Sequence, residues 1–64
     1  MSKVKVFWVS AEITFNDGIV EERYIKVRAR NSVKACEFFK RDIVNLYHLY
    51  SADDQIGDIA SFEA

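Results

Sequence analysis

Residues 32–50, SVKACEFFKRDIVNLYHLY, are the one long stretch with a sustained helical period, and every other part of the chain has to supply a surface for it. Ala35, Cys36, Phe39, Ile43, Leu46, Tyr47 and Tyr50 recur at steps of three and four, which gathers them on one stripe of a 3.6-residue turn. Lys34, Glu37, Arg41, Asn45 and His48 fall on the opposite side. Asn31-Ser32 supplies the N-cap chemistry, and Glu37 four residues before Arg41 is a correctly oriented surface pair. Phe38 and Leu49 lie off the main stripe beside Asp42 and Asn45. They either widen the buried face or extend a contact surface along the helix flank.

Two strands are expected ahead of the helix. In KVKVFWVSAEITF, residues 3–15, Phe7, Val9, Ala11, Ile13 and Phe15 point one way, while Trp8, Ser10, Glu12 and Thr14 point the other. The stretch from Val4 to Val9 is apolar on both faces, as suits a central strand covered on both sides. Asn16-Asp17-Gly18 is a turn signal, because Gly18 tolerates the positive φ that tight hairpins demand. A two-residue loop would set Val9 against Lys26 and Phe7 against Arg28 on the core face. A three-residue loop sets Val9 against Ile25 and Phe7 against Val27. A one-residue slip exchanges the faces of a strand, so burial selects the longer loop, despite Glu12 then facing Glu22.

Strand two then spans about 19–29, with Ile25, Val27 and Ala29 inward and Tyr24, Lys26 and Arg28 outward. After a break at Ser51-Ala52-Asp53-Asp54, read as a solvated turn, residues 55–63 read as a short third strand. Its parity is open: either Ile56, Ala60 and Phe62 share one face with Asp58, or Ile59 alone faces the core. A right-handed crossover through the helix places this strand beside the first. The expected fold is therefore α+β: a two-layer ββαβ domain over residues 1–64, with a three-stranded antiparallel sheet in order 2-1-3 and one helix packed on one face.

Sixty-four residues make one domain. A body of that size buries only about 60% of the surface its unfolded chain exposes, so its stability depends on a good core or on a partner. Cys36 is the only cysteine, which excludes an internal disulfide, and one Cys with one His cannot build a four-ligand zinc site. No metal or other cofactor is expected. The opening MSKVKVFW is too short in apolar run for a secretory leader, and no stretch approaches the length of a membrane span. The expectation is a cytoplasmic protein with no membrane partner. Net charge is −1 overall, with +3 in residues 1–34 (seven basic against four acidic) and −4 in residues 35–64 (two against six). Neither half is extreme enough to name a partner.

Catalytic chemistry has little to stand on. His48 has no Ser, Cys or Asp at a triad-like spacing, and Cys36 lies on the apolar stripe as a small hydrophobe. Asp53, Asp54 and Asp58 match no calcium loop. Gly18 and Gly57 are isolated and cradle no phosphate. No enzyme is expected. The outer face of the sheet gathers Val4, Val6, Trp8, Tyr24, Lys26 and Arg28, with Arg30 nearby. Trp, Tyr and Arg are enriched at interface hot spots, so this face is the expected protein-binding surface, with Trp8, Tyr24, Lys26 and Arg28 as contacts and Phe38 and Leu49 as a second group. The partner is a foreign protein or a second copy of the chain. The alternative occupant is single-stranded nucleic acid, which pairs base stacking with basic side chains, although the sequence pI of about 5.7 lacks the usual basic footprint.

In outline the chain resembles short bacteriophage-encoded accessory proteins of the host-takeover, anti-defence and antitoxin kind, the Dmd antitoxins among them. The features that carry the resemblance are the Val4-Lys5-Val6 opening into a hairpin, the Asn16-Asp17-Gly18 turn, the single aromatic-rich helix and the acidic tail. It implies a protein that binds and blocks a host or competing protein, with no residue-level site to transfer. The layout is also similar to that of an archaeal large-subunit ribosomal protein family, through Lys5-Val6-Phe7, Ser32 to Ala35 and Ile56 to Ile59. The basic residues an rRNA binder uses are missing here from the helix end and tail.

Overall fold

Two ten-residue strands arise where the alternation is cleanest: β1, Lys5–Thr14, and β2, Val20–Ala29, in a computed structural model that describes residues 3–64. Met1 and Ser2, which open the stretch read for a leader, lie outside the described residues. The two strands pair antiparallel with Phe7 opposite Val27, Val9 opposite Ile25 and Glu12 opposite Glu22, the register that burial selects. The three-residue loop fixes it. Gly18 N–H donates to Phe15 O at 2.9 Å, Phe15 N–H donates to Ile19 O at 2.8 Å, and the Asp17 carboxylate accepts from Ile19 N–H at 3.0 Å. Gly18 sits at φ +90°, a conformation that glycine reaches without steric cost.

Helix α1, Ser32–Tyr47, starts on Asn31, whose side chain accepts from Lys34 N–H at 2.9 Å. This satisfies one of the orphan amides of the first turn. The expected Glu37–Arg41 pair is not made. Glu37 pairs instead with Lys34, while Arg41 lies 3.5 Å from Asp42 and stacks over the Phe38 ring. The buried row of the helix is Ala35, Phe39 and Ile43, continued by the half-buried Tyr47. That row advances in steps of four, and four residues turn a helix through about 40° more than one revolution. By the last turn the core direction has reached Tyr47, so Leu46 is 62% exposed rather than part of the stripe.

The end of the helix corrects two further expectations. His48 takes the left-handed conformation at φ 53°, and its N–H and that of Leu49 both reach back to Val44 O. This is a Schellman-type stop, in which the residue after the left-handed one folds back as an apolar contact. Leu49 is therefore buried, 8% exposed, and is core rather than a partner contact. Tyr50, past the stop, has left the helical period and is 88% exposed. Cys36 is half-buried at the rim of the core.

The acidic stretch is a single helical turn, α2 (Ala52–Gln55), rather than an open turn. Gln55 fastens it to the hairpin through Nε2, which donates to Thr14 O at 3.1 Å and Asn16 Oδ1 at 2.7 Å. Lys40 Nζ holds Asp53 from the α1 side at 2.9 Å. The regular third strand, β3, is shorter than expected, Ala60–Glu63, preceded by an isolated bridge between Ile56 and Ile13. The sheet order is β2-β1-β3 with both pairings antiparallel, and α1 packs on one face. The core lies between these layers: Phe7, Val9, Ala11 and Ile13 from β1, Val27 and Ala29 from β2, the α1 row, Leu49 and Ile56. Among the described residues no helix is long and apolar enough to cross a membrane.

Candidate protein interface on the open sheet face

The parity of β3 decides what the open face contains. Ile56 stands opposite Ile13, whereas Ala60 stands opposite Ser10. Between these pairs β1 advances three residues and the last segment four, so one extra residue is accommodated in Gly57–Ile59. An extra residue in one strand is a β-bulge, and it moves every later side chain to the other face. Ile56 therefore joins the core, Ile59 packs at its edge, and Ala60 and Phe62 turn outward. Gly57 marks the spot. Its N–H donates to Glu12 O at 2.8 Å, and a Cβ there would come within 3.3 Å of that same oxygen.

Phe62 lies directly opposite Trp8 on the open face and is 56% exposed. It is the member of this face that sequence reasoning did not place there. The alternation alone, continued from Ile56, sends Phe62 inward, and the only signal to the contrary was a glycine inside a strand pattern.

On the other side of Trp8, Lys26 is its β2 partner and places Nζ 5.2 Å from the indole centroid. Cation–π attraction orders both side chains. Arg28 is exposed and stands opposite Val6, and Tyr24 is exposed and stands opposite Ser10. The Tyr24 hydroxyl donates to Glu22 Oε1 at 2.5 Å, and this hydrogen bond to a carboxylate holds the phenol above its ordinary pKa. Cross-strand rows follow along the face: Val6 with Arg28; Phe62, Trp8 and Lys26; Ala60, Ser10 and Tyr24; then Glu12 with Glu22. Of the six residues expected to make contacts, the structure brings Trp8, Tyr24, Lys26 and Arg28 together on one surface.

The other two are elsewhere. Phe38 packs half-buried against the core under Arg41, whose guanidinium carbon is 5.1 Å from the ring centroid. It borders a hollow shared with Val4, Arg28, Arg30 and Lys34, between the helix flank and the Arg28 end of the sheet. Leu49 is in the core.

The covered side of the sheet uses its polar residues structurally. Arg23, inward by parity, lies 5.1 Å over Phe15 and donates from Nε to the Tyr47 hydroxyl at 3.2 Å. Phe15 and Tyr47 meet edge to face at 4.8 Å. Among the described residues there is no group of three or more His, Cys, Asp or Glu side chains placed to hold a metal ion. His48 serves the helix stop through its backbone alone, its carbonyl accepting from Asn16 Nδ2 at 2.9 Å while its side chain is exposed. No protein-family model matches the chain, and no curated protein or solved structure is significantly similar to it.

Proposed function

We propose that this chain is a non-enzymatic protein-binding module of the cytoplasm that works through its open sheet face, as a phage-type inhibitor does when it occludes a surface of a host or defence protein. One observation carries the reading: Trp8 and Phe62 stand side by side on a sheet face with no second layer, flanked by Lys26 and Arg28. An aromatic pair at the centre of a patch with a charged rim has the anatomy of an interface hot spot.

Trp8→Ala tests it. Partner binding is expected to weaken by about 2 kcal/mol or more while the far-ultraviolet circular dichroism stays unchanged. Binding that survives the substitution would remove the face from consideration.

Phe62 also favours the second reading, a single-stranded nucleic-acid binder, because it raises the aromatic platform from two rings to three. Glu12 and Glu22 on the same face oppose a phosphate backbone, so the protein partner is preferred. Titration with salt separates the two. Affinity for a nucleic acid falls steeply with ionic strength, whereas an aromatic-centred protein contact changes little.

A further inference from the structure

The open face is complementary to itself. Its rows alternate in size and in sign: large Phe62 and Trp8 beside small Ala60 and Ser10, and basic Lys26 and Arg28 towards one end with acidic Glu12 and Glu22 towards the other. Resting on the reading of this face as a protein-binding surface, we infer that its occupant in the isolated protein is a second copy of the chain, packed back to back about a two-fold axis that crosses the strands between the Trp8 row and the Ser10 row.

That axis sets the Trp8 row over the Ser10 row and the Arg28 row over the Glu22 row. Trp8 of one copy lies over Ser10 of the other, and Phe62 over Ala60. The same rotation lays Arg28 over Glu22 and sets Lys26 beside the other copy's Tyr24. A two-fold axis along the strands would do the reverse, stacking Trp8 on Trp8, Ser10 on Ser10 and Glu12 on Glu12. Charge selects the crossing axis.

A second observation points the same way. Glu12 and Glu22 are direct cross-strand neighbours, a like-charge contact that weakens a sheet. Among the described residues neither is ion-paired, and neither is Arg28. The second copy's Arg28 arrives over Glu22, and the symmetry makes this contact twice. Two strands about 33 Å long and a third of about 13 Å, at a spacing of about 4.8 Å, give the three-stranded face a footprint on the order of 380 Å². Doubled, that is on the order of 750 Å², short of the roughly 1,000 Å² that specific interfaces usually exceed, so the dimer is a weak one. A foreign target and the second copy then compete for Trp8.

Sedimentation equilibrium of the full chain from about 5 μM to 1 mM tests this, with Trp8 fluorescence quenching followed over the same range. The expected result is a monomer–dimer equilibrium in which Trp8 becomes shielded as the dimer forms. Glu22→Arg and Arg28→Glu, both at exposed positions, should each raise the dissociation constant about tenfold or more, because each sets like charges together twice. The double exchange should restore it to within about threefold of the original, since the pair is only reversed. A monomer at every concentration overturns the second copy and leaves the protein-binding reading standing if Trp8→Ala still abolishes capture of a foreign partner. A dimer with Trp8 open to quencher, or one indifferent to both exchanges, also overturns the inference, because its contact lies on another face.

Discussion

The two faces of this sheet are built from the same strands, yet only one has a layer over it. On the helix side, Phe7, Val9, Ala11 and Ile13 meet Phe39 and Ile43, and all six are buried. On the far side Val6, Trp8, Tyr24 and Phe62 have nothing from the described residues above them. The difference teaches that apolar composition of a strand does not tell how many layers its own chain provides. Val4 to Val9 reads as a doubly covered central strand; the strand is central, but among the described residues nothing supplies the second cover. An uncovered apolar face is the kind of surface that marks an interaction site.

The comparison breaks most sharply through a pair of truncations. Phe39→Ala removes the largest fully buried side chain and should cost about 3–5 kcal/mol, enough to unfold much of a domain this small. Trp8→Ala removes a larger side chain from the open face and should cost about 1 kcal/mol or less, because its loss opens no enclosed cavity. Urea denaturation followed by circular dichroism reads both. Equal costs would mean that the two faces are energetically alike and that Trp8 belongs to a core.

A second pair sharpens the boundary of the covered side. Leu49→Ala should cost about 2 kcal/mol and Leu46→Ala less than about 0.5 kcal/mol, read by the same unfolding curves. From spacing alone the order is reversed, since Leu46 lies on the apolar stripe and Leu49 does not.

That reversal shows where the sequence stops being legible. The β1–β2 register could be read because one slip would put Lys26 and Arg28 into the core, a choice with a large energy gap. The N-cap and the sheet order were legible for similar reasons: Asn31 has a specific partner amide, and handed connections leave few alternatives. The helix stop was not, because it depends on a left-handed His48, a residue that carries no strong preference for that conformation. The bulge at Gly57–Ile59 was not legible either. One inserted residue changes no composition and no hydropathy, yet it moves Phe62 from one face to the other. Four members of the candidate site could be read from β1 and β2, and the fifth waited on that single residue.

The stop itself supplies a smaller effect of opposite sign. A non-glycine residue at positive φ is strained, and His48 stands at φ 53° with an exposed side chain. His48→Gly should stabilise the protein by about 0.5–1 kcal/mol, since glycine adopts that conformation freely and the backbone contacts of the stop are kept. Thermal unfolding of the two proteins checks it. A loss of stability would mean that the imidazole holds the covered side together in a way its backbone role does not account for.

The smallest effect concerns how the covered side is fastened at its far end, where α2 is tied to α1. Lys40 donates a hydrogen bond to Asp53, and that bond, with the attraction between the charges, holds the Asp53 carboxyl below its ordinary range. In the unfolded chain the carboxyl titrates normally, so the folded state binds fewer protons on falling through about pH 4. The stabilisation from the pair is thus full above the ordinary carboxylate value and is lost as pH falls through the lowered one. Both groups reach solvent, so screening keeps the contribution slight and sensitive to salt. NMR titration of the Asp53 carboxyl should show its midpoint rise towards the ordinary value in Lys40→Ala, with β1 and β2 amide shifts on the open face unmoved. Open-face shifts that follow Asp53 would mean that the two faces are coupled through the sheet, and the contrast between a fastened face and a free one would no longer hold.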